Sequence, residues 1–129
     1  MPDRTRRHPE LSGYPAEESS SIPNHQFRDD ARPYSGHTGG NLDEPAKALK
    51  AGDHGVPRGE NMIAFPNGIY RYFTVRESAR IQTFPDDFVF AGSWTEAMRK
   101  LGNAVPVELS KIVGDGIRAQ MMDWRFYGN

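Results

Sequence analysis

The residues best suited to bind a ligand lie between two stretches of helical character, at Gly102-Asn103-Ala104-Val105-Pro106. Gly102 has no Cβ and would let the backbone approach a ligand closely. The Asn103 side chain offers both a donor and an acceptor. Backbone amides from Ala104 onward, at the start of a helix, would be unsatisfied donors that favour a carboxylate. The same residues also make a simple helix-to-helix joint, which is the commoner explanation when they are taken by themselves.

Other chemistry is excluded by the residue types. The 129 residues include no cysteine, so the chain offers no thiol nucleophile, disulfide or zinc-thiolate site. Residues 114–119 match a G-x-G-x-x-A nucleotide-binding pattern, but they lie in a predicted helix with no strand before it. The histidines have no pairing at metal-ligand spacing; they are His8, His25, His37 and His54. We therefore predict neither a catalytic residue nor a metal site in this chain.

Composition limits the size and the environment of the fold. The formal net charge is −1, so no global basic field indicates nucleic acid. No apolar run approaches the roughly 20 residues of a membrane span. The first residues, 1–7, are followed by Pro and Glu and not by an apolar segment, which does not fit a signal peptide. We expect a cytoplasmic protein with no membrane span.

The chain divides into three parts by composition. Residues 1–33 are rich in Pro, Ser, Arg and Glu, and we expect an extended or disordered tail. Residues 34–70 are loop-rich, beginning with a turn-forming run at 34–41. Residues 71–129 carry helical patterns. With 13 Gly and 10 Pro, much of the chain must be irregular, and we doubt that all of it folds alone.

Local signals predict a hairpin followed by three helices. Residues 61–65 and 69–73 flank Pro66-Asn67-Gly68, which is typical of a β-hairpin. Two capping boxes predict helix starts, and Pro85 ends the first helix. The second helix is predicted over 94–101, with Gly102 as a left-handed C-cap. The boxes are Thr74…Glu77 and Ser93…Glu96, and Pro106 suits the first turn of the third helix.

The third helix carries one apolar stripe at helical spacing. Gly114 and Gly116 interrupt it and weaken the helix by about 1 kcal/mol each relative to Ala. They are tolerable if another backbone packs closely there. We interpret the stripe as half of an interface; its residues are Leu109, Ile112, Val113, Ile117 and Met121.

Two segments together resemble a known family. Residues 72–88 contain T-V-R-E-S-A-R-I-Q-T-F-P-D-D-F, which resembles the ninth conserved block of DNA cytosine-5 methyltransferases. Residues 98–106 contain M-R-K-L-G-N-A-V-P, which resembles the tenth block, with Lys100 where the family usually has Gln. Residues 36–57 are similar to the end of the target-recognition region. The resemblance covers about residues 34–118 and is weaker before 71.

The resemblance implies a methyl transfer from S-adenosylmethionine to C5 of a cytosine flipped out of DNA. A cysteine thiolate adds to C6 in this family, and the chain has no cysteine. Gly102, Asn103, Ala104 and Val105 would form one wall of the S-adenosylmethionine pocket. Arg76 and Arg80 would brace the recognition domain or approach phosphates, although solvated charge is the commoner explanation for two arginines four residues apart.

The fold expected from these observations is an α+β fragment: an irregular tail, a short β-hairpin and about three helices. In a complete enzyme it would be part of an α/β S-adenosylmethionine-dependent methyltransferase fold. The favoured role is a C-terminal fragment or subunit that acts on DNA and is inactive without a second polypeptide that carries the cysteine. A truncated, inactive remnant and a stand-alone DNA-binding or regulatory module stay open as alternatives.

Overall fold

The computed structural model describes residues 21–28, 31–36, 38–51 and 61–127. These residues form a three-stranded sheet and three helices, which confirms the small α+β unit predicted from the sequence. The elements are β1 (Gly40–Asn41), β2 (Met62–Ala64), β3 (Tyr70–Tyr72), α1 (Val75–Ile81), α2 (Trp94–Asn103) and α3 (Val107–Tyr127).

The predicted hairpin is present. Strands β2 and β3 pair antiparallel, with Met62 opposite Tyr72. The turn is closed by Phe65, whose amide donates to Ile69 O at 2.9 Å and whose carbonyl accepts from Gly68 N at 3.0 Å. Gly68 has φ +79°, a conformation that glycine adopts without steric cost and that explains the glycine in this turn.

Strand β1 was not predicted. We expected residues 34–41 to be turns, but Gly40 and Asn41 pair in parallel with Ile63 and Ala64 of β2. The prediction was wrong for these two residues because their partners lie more than 20 positions later, and a two-residue bridge leaves no alternating pattern to read.

Both capping boxes are confirmed. Thr74 Oγ1 accepts from Glu77 N at 3.1 Å, while Glu77 Oε2 accepts from Thr74 N at 2.8 Å. Ser93 and Glu96 repeat the arrangement at the start of α2. These reciprocal bonds satisfy backbone amides that a helix start would otherwise leave open, so the two boxes set where α1 and α2 begin.

The end of α2 differs from the prediction. The helix continues to Asn103, and its C-cap is Ala104, with extended angles of φ −77° and ψ 145°. Gly102 therefore lies inside the last turn and is not a left-handed cap. The helix ends at an extended residue because Pro106, two positions later, has no amide proton to continue the helical hydrogen bonds.

The core lies between α1 and α2, with one residue from the loop before β2. Ala79 and Leu101 are fully buried. The ring centroids of Phe84 and Phe90 lie 5.3 Å apart in an edge-to-face contact. Phe88 packs on both rings, so the turn after α1 is anchored by aromatics. The buried cluster consists of Leu49, Val75, Ala79, Phe90, Ala97, Met98 and Leu101.

Helix α3 stands apart from this core. Every residue from Glu108 to Arg125 is exposed, including the predicted stripe, in which Ile112 keeps 67% of its surface exposed and Met121 62%. Gly114 and Gly116 have no atom within 4 Å of a Cβ built on them. Among the described residues, no helix combines the length and the apolar character needed to cross a membrane.

Candidate functional site

The joint between α2 and α3 is held by hydrogen bonds to the end of α1. Ala104 N donates to Leu101 O at 3.2 Å, and Val107 N donates to Gln82 O at 3.0 Å. The Gln82 side-chain nitrogen donates to Leu101 O at 2.7 Å and to Ala104 O at 2.9 Å. The joint therefore has a shape fixed by a residue about 20 positions earlier in the chain.

The first amides of α3 are already engaged. Val107 N is bonded to Gln82, and Glu108 N donates to Thr83 Oγ1 at 2.9 Å. The amide of Ala104 is used within the joint. The predicted unsatisfied donors for a carboxylate are therefore wrong at these three positions, because a neighbouring turn of the same chain supplies the acceptors.

Gly102 is required for packing within the chain. A Cβ at Gly102 would lie 2.6 Å from the backbone carbonyl carbon of Lys50 and closer still to the amide nitrogen of Ala51. Real Cβ atoms do not approach backbone this closely. The space that we assigned to a ligand is thus occupied by the segment before β2, and close ligand approach does not explain this glycine.

Asn103 and Val105 are the two joint residues that face outward. Asn103 is exposed, and its carboxamide makes no hydrogen bond within the described part of the chain. Val105 keeps 59% of its surface exposed. An exposed polar amide and an exposed apolar side chain, two positions apart on a braced backbone, fit one wall of a pocket for a ligand that has both polar and apolar parts. The remaining walls are not formed by the described residues.

Lys100 points away from this joint. Its Nζ donates to Ala91 O at 3.4 Å, near the end of the loop that leads into α2. The residue that departs from the family pattern therefore contacts the loop before its own helix.

Arg76 and Arg80 have different environments although they lie one turn apart on α1. Arg76 is 1% exposed. Its guanidinium donates to the carbonyls of Pro23 at 3.1 Å, Pro85 at 3.3 Å and Phe88 at 2.8 Å. The interpretation as solvated charge is wrong for Arg76, because its guanidinium is buried and backbone carbonyls accept its hydrogen bonds.

Arg80 is exposed and pairs with the carboxylate of Asp86. Its Nε and Nη2 each lie 2.8 Å from an oxygen of Asp86. The hydrogen bond from Arg80 lowers the pKa of the Asp86 carboxyl below its usual value. This ion pair closes the turn after α1 at the surface, while Arg76 closes the same turn from inside.

Residues 21–28, in the irregular tail, pack on the start of α1. Asn24 O accepts from Arg76 N at 2.9 Å. Its carboxamide bonds both backbone groups of Phe90, each at 2.8 Å. His25 is 8% exposed, and its Nδ1 lies 2.9 Å from Thr74 Oγ1. Burial lowers the pKa of His25, against an opposing effect of Glu77. No local sequence pattern predicts this contact, because it joins positions about 50 to 65 apart in the chain.

Arg71 is a buried arginine that the sequence analysis missed. It is 2% exposed and makes two hydrogen bonds of 2.9 Å to the Glu77 carboxylate. Its guanidinium also lies 4.6 Å from the centroid of Phe27, in the geometry of a cation–π contact. The only signal was an arginine between two tyrosines in the returning strand of a hairpin. Arg71 therefore links the capping box of α1 to the tail segment.

Other candidate sites contribute little. Within the described ranges, no group of three or more histidine or acidic side chains could hold a metal ion. His8, His37 and His54 lie outside those ranges. A cavity of about 290 Å³ lies beside β1 and α1, and a groove of about 370 Å³ runs along α3. Neither includes a residue of the joint.

Comparisons with known proteins agree on one family. The model of C-5 cytosine-specific DNA methylases matches residues 12–119. The Type II methyltransferase M.NgoFVII of Neisseria gonorrhoeae is 49% identical over 74 residues, which are 54% of this chain and 18% of that protein. M.HindV of Haemophilus influenzae is 37% identical over 81 residues, 59% of this chain and 27% of that protein.

The shared region is short compared with these proteins. M.Eco47II of Escherichia coli is 55% identical over 47 residues, which are 36% of this chain and 11% of that protein. The chain thus spans only about a tenth to a quarter of the length of these curated relatives. No solved structure matches.

Proposed function

The chain belongs to the family of C-5 cytosine-specific DNA methylases, and we propose that it forms the C-terminal part of an enzyme that methylates C5 of cytosine in DNA. On this proposal the chain alone is inactive, because its sequence contains no cysteine to add to C6 of the base. A second polypeptide segment supplies that cysteine and most of the pocket for S-adenosylmethionine.

The observation that carries this proposal is the exposed face of α3. Its apolar stripe runs from Leu109 to Met121 and is covered by nothing in the described part of the chain. Contiguous apolar surface of this kind marks an interaction site. The two glycines on α3, with open space beside them, would let the backbone of the second segment approach the helix.

The joint supplies one wall of the methyl-donor pocket. When bound, S-adenosylmethionine supplies the methyl group that is transferred. The Asn103 carboxamide is placed to exchange hydrogen bonds with a polar part of the donor, and Val105 is placed to contact an apolar part. Gly102 and Ala104 act in the same wall through backbone geometry: Gly102 seats α2 on residues 50–51, and Ala104 turns the chain toward α3.

The two arginines of α1 have separate roles in this proposal. Arg76 is too buried to reach a phosphate and braces the tail segment and the turn after α1 from inside. Arg80 is exposed, and its side chain is 41% accessible although it is paired with Asp86. It is the one of the two that can approach DNA.

The test is complementation. The chain is co-expressed with the part of M.NgoFVII that its match leaves uncovered, and transfer of a radiolabelled methyl group to DNA is measured. We expect incorporation with both polypeptides and none with either alone. Ile117→Asp, in the middle of the stripe, should abolish it, whereas Lys111→Gln on the polar face should not. A folded, associated pair that transfers no methyl group would refute the proposal.

A further inference from the structure

Gln82 joins the end of α1 to the joint through three hydrogen bonds. Its side-chain nitrogen donates to Leu101 O and Ala104 O, and its backbone carbonyl accepts from Val107 N. A primary carboxamide has two N–H groups, and here each has its own carbonyl acceptor. Gln82 is 9% exposed, so these bonds are protected from water, and leaving either carbonyl without its donor would be unfavourable.

Two side chains of similar size, glutamate and methionine, cannot make these contacts. A glutamate would place a carboxylate against two carbonyl oxygens, with no proton to donate. A methionine would fill the space and leave the carbonyl of Ala104 without its donor. Leu101 O would retain only the longer bond from Ala104 N, at 3.2 Å. The two contacts therefore need a side chain with two hydrogen-bond donors, which the carboxamide of Gln82 supplies without burying a charge.

Thr83 holds the next contact in an unusual backbone conformation. Its φ is +57°, in the left-handed region that β-branched residues rarely adopt. In this conformation its Oγ1 accepts from Glu108 N at 2.9 Å, and its amide donates to Arg80 O at 3.0 Å. Conformations of this kind persist only where the surrounding structure requires them, and they cluster at functional sites.

We infer that Gln82 and Thr83 form a clasp that positions the Gly102–Pro106 joint to receive the methyl donor. Through Leu101 and Ala104 the clasp fixes the end of α2, and through Val107 and Glu108 it fixes the start of α3. Both residues act through the backbone around Asn103 and are positioning residues. The inference rests on the proposed function, in which this joint is a wall of the donor pocket.

Gln82→Glu gives a test with a pH-dependent readout. The complex of the full chain with the M.NgoFVII segment is titrated with S-adenosylmethionine by calorimetry between pH 9 and pH 6. The carboxyl is buried against two carbonyls, so its pKa should be raised above that of an exposed glutamate. At pH 9 we expect a Kd about tenfold above that of the unsubstituted complex, from the loss of both donors.

As the pH falls to 6, the protonated carboxyl regains one O–H donor, and most of the lost affinity should return. A residue that only fills space would show no such recovery. The matched control is Gln26→Glu, on an exposed position of the tail, for which Kd should follow that of the unsubstituted complex at every pH.

Thr83 provides a second test if Gln82→Glu fails to fold. Thr83→Val keeps the shape of the side chain and removes the acceptor for Glu108 N, whereas Thr83→Ser keeps the acceptor. We expect Thr83→Val to raise Kd severalfold and Thr83→Ser to retain the original Kd. Because Val is β-branched like Thr, the comparison of Thr83→Val with the unsubstituted complex isolates the hydrogen bond, and Thr83→Ser shows whether the acceptor alone is sufficient.

Two results would overturn the inference; the first leaves the proposed function standing, and the second refutes it as well. If the Gln82 and Thr83 variants bind the donor normally while Asn103→Ala weakens binding, the clasp has no positioning role and the proposed function stands. If Asn103→Ala also binds normally, or the unsubstituted complex does not bind the donor, the joint is not a donor wall and both proposals fail.

Discussion

Arg76 donates from a buried guanidinium to the backbone carbonyls of Pro23, Pro85 and Phe88. Replacing it with methionine would remove the guanidinium donors from all three carbonyls, of which Pro85 O alone keeps a bond from Phe88 N, and we expect the free energy of unfolding to fall by about 3 kcal/mol. Arg80→Met is the matched control, since exposed ion pairs contribute little. Chemical denaturation of the full chain, followed by tryptophan fluorescence, measures both. Equal losses would contradict the assignment of Arg76 as an internal brace.

The stability of the folded chain should depend on pH through His25. Burial lowers the pKa of His25 in the folded chain below the usual 6.5. Between the folded-state pKa and 6.5, the unfolded chain therefore binds a proton more readily than the folded chain does. The stability that His25 contributes is thus fully present above pH 6.5 and is lost as the pH falls through the folded-state pKa. NMR titration of the four imidazoles, with His25→Gln for assignment, should show His25 titrating below 6.5. A value above 6.5 would contradict the buried contact with Thr74.

At the scale of elements, two glycines should respond to alanine with opposite signs. Gly102→Ala places a Cβ against the backbone of Lys50 and Ala51, and we expect a loss of about 1–3 kcal/mol from overpacking. Gly114→Ala has open space around it and should stabilise α3 by up to about 1 kcal/mol in the free chain. Thermal unfolding monitored by circular dichroism measures both. A stabilising Gly102→Ala would contradict the packing of α2 on residues 49–51.

The elements also show what sequence could and could not predict. The capping boxes at Thr74 and Ser93 and the hairpin around Gly68 are set by bonds within a few residues, and all three were predicted. Strand β1 and the contacts of Gln82 join distant segments. The same is true of Asn24, whose carboxamide bonds Phe90 across 66 positions. No pattern in a single sequence predicts contacts between such distant residues.

In the candidate site, too, local features were predicted and contacts between distant segments were not. The resemblance of the ninth and tenth blocks selected Gly102-Asn103-Ala104-Val105 and the arginine Arg76. It did not reveal that Gly102 is needed for packing or that Arg76 is buried, because Gly102 packs on residues 50–51 and Arg76 bonds both the tail at Pro23 and the turn at residues 85–88. Side-chain chemistry was readable from the sequence, whereas the direction in which each group points was not.

At the scale of the whole molecule, α3 is a helix without a partner in the described chain. Most of the stability of a helix in a protein comes from the packing of its apolar face, and the apolar face of α3 is exposed. We therefore expect amides of residues 109–122 to exchange rapidly in the free chain and to become protected in the complex with the M.NgoFVII segment. Amides of α2 should be protected in both states. Hydrogen exchange followed by mass spectrometry measures this difference. Unchanged exchange in α3 on assembly would contradict its assignment as the docking face.

The central claim is that the joint after α2 forms a wall for the methyl donor in the assembled enzyme. Equilibrium binding of radiolabelled S-adenosylmethionine to the complex tests it, with Asn103→Ala compared with Arg99→Ala one turn earlier on the exposed side of α2. We expect Asn103→Ala to raise Kd about tenfold through a lost hydrogen bond and Arg99→Ala to leave it unchanged. Equal affinity for the donor in both variants would contradict the account.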